Sequence, residues 1–186
     1  APEWSSTNIQ VEGVDEHDIV KTNGTHIFVA YNGEGGGIVS IVKTWENGSM
    51  EIAGRINVTK DIAEIMGPCD LKITYGNQTV TIAKGWLRAW VEGLYVRGDK
   101  IIVLATARHQ FEWVWWEYGY QHVTREGKTA SWNWMLPPPI IQPTTWVLVY
   151  SSDGKLLDHA WISGSLVDSR LAGGKLVVVT RGEPIY

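Results

Sequence analysis

Four consecutive residues, Asp15, Glu16, His17 and Asp18, bring three carboxylates and an imidazole together. Oxygen donors at this density suit a hard cation such as Ca²⁺, which takes six to eight oxygens and would draw in carbonyls or water to complete its shell. The spacing fits neither an EF-hand nor a zinc template. On a strand, alternation sends Asp15 and His17 to one face and Glu16 and Asp18 to the other, which splits the donors. A metal site on Asp15, Glu16 and Asp18 therefore competes with a solvated turn or a strand-end salt link to Lys21.

Other reactive residue types are sparser. Asp158-His159 beside Trp161 forms a pair that a surface turn explains equally well, and Ser163-Gly164-Ser165 lacks the pattern of a nucleophile elbow. The run GEGGG at residues 33–37 lies between strands and not before a helix, so it reads as a hairpin loop and not a phosphate cradle. Cys69 is the single cysteine, which excludes an internal disulfide framework and leaves a buried thiol or an intermolecular partner. No catalytic constellation and no cofactor emerge from this reading.

Four sequons carry covalent chemistry of another kind. Asn23, Asn47, Asn57 and Asn77 each open an Asn-X-Ser/Thr triplet without proline in the middle. Chance predicts about one such match here, and Asn-Gly turns are the competing explanation. The expectation is a secreted or surface-displayed chain bearing N-glycans. No charged leader with an apolar core precedes Ala1, so a signal peptide is read as removed or never present. A formal net charge of −4 offers no electrostatic footprint for nucleic acid. The longest apolar runs are far shorter than the roughly 20 residues of a membrane-spanning helix.

The elements that would position these residues read as strands. Residues 27–31 alternate about Phe28 and close a hairpin opened at Ile19, with Asn23-Gly24 as its type I′ turn. Residues 38–45 turn at Asn47-Gly48 into residues 50–58. Residues 59–66 form the one convincing helix, and residues 80–83 and 87–91 suggest two more short strands. A repeat then emerges. IVKTNGTHIFVA (19–30), LYVRGDKIIVLA (94–105) and SRLAGGKLVVVT (169–180) share a strand, glycine turn and strand, with turn glycines Gly24, Gly98 and Gly173 at near-equal intervals. A second hairpin unit at 38–56 recurs at 145–162.

Each period thus contains a four-stranded meander, the outline of a propeller blade. The expected fold is all-β, with about two and a half propeller-like four-stranded antiparallel blades in a single domain over 1–186. A blade-like unit at 12–58 is followed by an insert at 59–93, a second unit at 94–162 with a Trp-rich insert at 106–144, and a partial unit at 163–186. Propellers close with at least about four blades, so this arc is not a closed ring by itself.

STNIQVEGVDEHDIVKTNGTHIF (5–28) resembles the opening signature of a family of secreted prokaryotic proteins with a β-propeller domain, and GSLVDSRLAGGKLVVVTRGEP (164–184) resembles a later stretch of that family. The resemblance implies a propeller fold and an envelope-facing location, and it brings no established catalytic residues. Family members are usually several times longer. The chain therefore reads as the N-terminal part of the family's propeller region or as a shortened relative.

Eleven tryptophans remain to be explained. Trp113, Trp115, Trp116, Trp132 and Trp134 belong to the insert, where Phe111, Trp113 and Trp115 alternate with Trp116 and Tyr118. Both faces of such a strand are apolar. A buried two-faced strand, a partner surface and a platform for sugar rings all fit. With blades too few to close, the expected partner is another copy of the chain, covered through these tryptophans and through Trp4, Ile9 and Val11 of an N-terminal segment that adds a strand to its neighbour. Head-to-tail contacts of this kind build filaments when they do not close. The alternative is a fragment of a larger secreted propeller that binds glycan or protein at the cell surface.

Overall fold

The computed structural model describes residues 14–75, 77–113 and 142–182. They form twelve strands and one helix: β1 (Val14–Glu16), β2 (Val20–Thr22), β3 (His26–Gly33), β4 (Gly36–Thr44), β5 (Met50–Asn57), α1 (Val58–Met66), β6 (Leu71–Tyr75), β7 (Gln78–Arg97), β8 (Lys100–Trp113), β9 (Thr144–Ser151), β10 (Leu156–Ser163), β11 (Ser165–Ala172) and β12 (Lys175–Arg181). All strand pairs are antiparallel and group into three sheets. Sheet C runs β2-β3-β4-β5, sheet B runs β10-β9-β8-β7-β6, and sheet A holds only β1-β11-β12. This is the expected open all-β arc with one short helix.

The repeated units of the sequence fall on equivalent hairpins. Gly24, Gly98 and Gly173 occupy the β2-β3, β7-β8 and β11-β12 turns with φ of 93°, 61° and 54°, a left-handed region where a Cβ is strained. Sheets B and C therefore contain the same four-stranded meander. Sheet A repeats its first hairpin alone.

The two short strands expected at 80–83 and 87–91 are one strand. β7 runs unbroken for 20 residues because β8 pairs with it from Ala83↔Trp113 to Arg97↔Lys100. The stretch expected as an insert at 59–93 thus supplies α1, β6 and most of β7. A register shift between Val91 and Gly93 turns β7 over. Leu87, Ala89 and Val91 face the core before it and Leu94 after it, since a one-residue slip reverses the facing.

The core lies between sheets B and C. Phe28, Val39, Ile41 and Ile56 of sheet C meet Val91, Leu94, Val103, Trp146 and Leu148 of sheet B, all essentially without solvent contact. Helix α1 seals one end. Its Val58, Ile62 and Ile65 recur at helical spacing and pack inward. Asn57 caps it by accepting the Lys60 amide at 2.9 Å. Tyr150 reaches out of the core to donate to Asp61 of α1 at 2.8 Å. Burial, reinforced by that bond, pushes the Tyr150 hydroxyl pKa well above its ordinary value.

Candidate functional site

Residues 14–22, which contain the acidic run, touch every sheet in turn. β1 pairs with β11 through Val14↔Ala172, Asp15↔Leu171 and Glu16↔Arg170. Asp18 then exchanges both backbone hydrogen bonds with Leu94 of sheet B, at 3.3 and 2.7 Å. β2 finally pairs with β3 of sheet C. The segment is a strap across the inner edges of the arc.

Its side chains lock the crossing. His17 Nδ1 lies 2.9 Å from the Ser169 hydroxyl, which lies 2.8 Å from the hydroxyl of Tyr95. Ser169 and Tyr95 are completely buried, and burial raises the Tyr95 pKa. The His17 ring meets Tyr95 edge-on and covers Gly93, where a Cβ would come within 2.4 Å of His17 Cδ2. Lys21 binds Asp15 at 2.8 Å and stands 6.0 Å over the Tyr95 ring. Glu16 and Asp168 flank Arg170 at 3.3 and 2.6 Å.

A histidine and a tyrosine on one serine hydroxyl have the composition of a nucleophilic relay. Ser169 is 1% exposed, so no carbonyl can approach it, and the geometry is that of a buried polar joint. The three carboxylates of the acidic run point to separate tasks. Asp15 holds Lys21, Glu16 holds Arg170, and Asp18 Oδ1 accepts the Ile19 amide at 2.7 Å. The salt link to Lys21 is the one that the sequence suggested.

A second set of side chains occupies the edge of β7 that β6 leaves bare. Asp70 accepts the Gly85 amide at 3.1 Å. Thr59 Oγ1 serves both the amide and the carbonyl of Ala89, at 3.3 and 3.2 Å. Asn32 does the same for Val91 at 2.8 and 3.0 Å. With Asp18 on Leu94, this edge is satisfied at Gly85, Ala89, Val91 and Leu94, which hinders a foreign strand from adding there. Sequence reading missed Asn32, Thr59 and Asp70, for none carries a local signal of the role.

A cleft of about 330 Å³ opens beside this edge, lined by Met66, Cys69, Asp70, Gly85, Leu87 and His109 among others. Burial pushes the Cys69 thiol pKa up and that of His109 down, so both groups are neutral at pH 7. Asp158 and His159, the pair weighed in the sequence, are exposed on β10, where His159 stacks on Trp146.

Of the sequons, Asn23 and Asn47 build turns by accepting from Thr25 and Ser49, respectively. Asn57 caps α1, and Asn77 is exposed beside β7. Trp4, Ile9, Val11, Trp115, Trp116, Trp132 and Trp134 lie outside the described residues, and Trp113 ends β8. Among the described residues, no strand pairs with the outer edge of β12, whose Val177 and Val179 are 56% and 50% exposed. No described helix is long and apolar enough to cross a membrane.

The family model described as Beta propeller domain matches residues 4–186. No curated protein and no solved structure matches the chain.

Proposed function

We propose, from the premise that this chain belongs to the Beta propeller domain family, that it is a structural module of the cell exterior that assembles by strand pairing between copies. One contrast carries this reading. Side chains cap the bare edge of β7 at Gly85, Ala89 and Val91, whereas among the described residues nothing pairs with the outer edge of β12. Among the described residues, sheets B and C reach the fourth strand of their meander and sheet A the second. A strand from a neighbouring copy would extend it, and a head-to-tail repeat of that contact yields a filament. N-glycans at Asn23, Asn47, Asn57 and Asn77 would sit on turns, a helix cap and a strand end, positions compatible with an external surface.

Negative-stain microscopy with size-exclusion chromatography tests this. The expected result is concentration-dependent filaments that are lost when residues 1–12 are deleted, since that segment is the proposed donor. Assembly unchanged by the deletion refutes the donor, and a monodisperse monomer refutes the reading. A second reading, a recognition module at the cell surface, is favoured by the aromatic and basic face of sheet B considered next.

A further inference from the structure

Strand alternation places Trp86, Arg88 and Trp90 on the face of β7 opposite the core-facing Leu87, Ala89 and Val91. Register then sets Trp86 against Gln110, Arg88 against Arg108 and Trp90 against Thr106. Two arginines directly opposed across a strand pair repel each other. No carboxylate among the described residues pairs with either one. The Arg88 guanidinium leans over Trp90 at 5.4 Å, and Trp86 is held by its indole N–H donating to Gln110 at 2.8 Å.

Two buried polar side-chain atoms lack a hydrogen-bond partner among the described residues: Arg88 Nε and Thr106 Oγ1. They sit in diagonal positions of this same face, and each can donate. Both atoms are closed off from solvent, so what an outside group can reach on this face is the remainder of the two guanidinium groups, a like-charge pair with no carboxylate among the described residues, and that pair calls for an external acceptor. The acceptor must be anionic to answer Arg88 and Arg108. It must also carry flat apolar faces, since Trp86 is 46% exposed and stands four residues from Trp90, about 13 Å along a strand. A peptide adding by backbone pairing is disfavoured, because β8 occupies one edge of this part of β7 and side chains cap the other.

We propose that this face binds an acidic saccharide, an inference that rests on the recognition-module reading. A uronate carboxylate pairs with the outward guanidinium nitrogens of Arg88 and Arg108, while flanking sugar rings stack on Trp86 and Trp90. Isothermal titration of the full chain with tetragalacturonate, maltotetraose and poly-glutamate tests it, using Arg88→Gln and Arg108→Gln variants with circular dichroism as the fold check. Tetragalacturonate is expected to bind in a salt-dependent manner and to weaken at least tenfold in R88Q and R108Q. R108Q should at the same time raise the thermal midpoint by removing the repulsion. Maltotetraose binding that matches tetragalacturonate and survives R88Q overturns the acidic site but keeps the recognition module. Poly-glutamate competing at equal strength overturns the saccharide, and binding of none of the three overturns both.

Discussion

The carboxamide of Asn32 grips both backbone groups of Val91, accepting its amide at 2.8 Å and donating to its carbonyl at 3.0 Å across 59 residues of sequence. A side chain here does what a neighbouring strand would do. Asn32→Ala should therefore cost about 1–3 kcal/mol, two modest hydrogen bonds replaced in part by water. Urea denaturation measures the cost. Hydrogen exchange should show Val91 losing protection first, and unaltered protection there would mean that the edge is covered otherwise.

Gly93 and His17 test the strap. Gly93→Ala forces a Cβ against the imidazole and should destabilise by about 1–3 kcal/mol, whereas His17→Ala in the same chain makes the room. A double-mutant cycle should then show strong non-additivity. Additive effects would separate the two residues.

Ser169→Ala removes the hydroxyl shared by His17 and Tyr95 and leaves two polar groups at the joint between sheets A and B without it. The expected loss is about 1–3 kcal/mol. Proteolysis should release the sheet A strands before the core of sheets B and C. Simultaneous loss of all three sheets would contradict a local role.

Alkaline pH should weaken the fold through Tyr150. Its folded-state pKa is raised, so the folded chain holds the proton more tightly than the unfolded chain does. That stabilisation is fully present below the unfolded value of about 10 and is lost as pH rises beyond it. The thermal midpoint should fall above about pH 10, and Tyr150→Phe should flatten the fall. An equally steep fall in the variant would assign it elsewhere.

Local signals in the sequence were enough for the hairpins. Asn-Gly and Asp-Gly turns, period-two strands and the apolar spacing of α1 all act within a few residues, and so did the Asp15 to Lys21 link. The partners of the strap were not legible in this way. His17 meets Ser169 across 152 positions, and β1 pairs with β11 from the other end of the chain. Asn32 carries no local sign that it caps an edge 59 residues away. β7 looked like two weak strands because Lys84-Gly85 interrupts its apolar pattern, and pairing with β8 supplies the continuity that local propensity lacks. Trp86, Arg88 and Trp90 gain meaning only from the register that places Arg108 opposite Arg88.

Multi-angle light scattering of the purified chain beside a Val177→Lys/Val179→Lys variant addresses the open edge of sheet A most directly. Both valines are exposed, so the variant should fold, and charge on an edge strand suppresses pairing with another chain. The account predicts a mass that grows with concentration for the native chain and a constant monomer mass for the variant. A native chain that stays monomeric at every concentration, or a variant that assembles as readily, would contradict it.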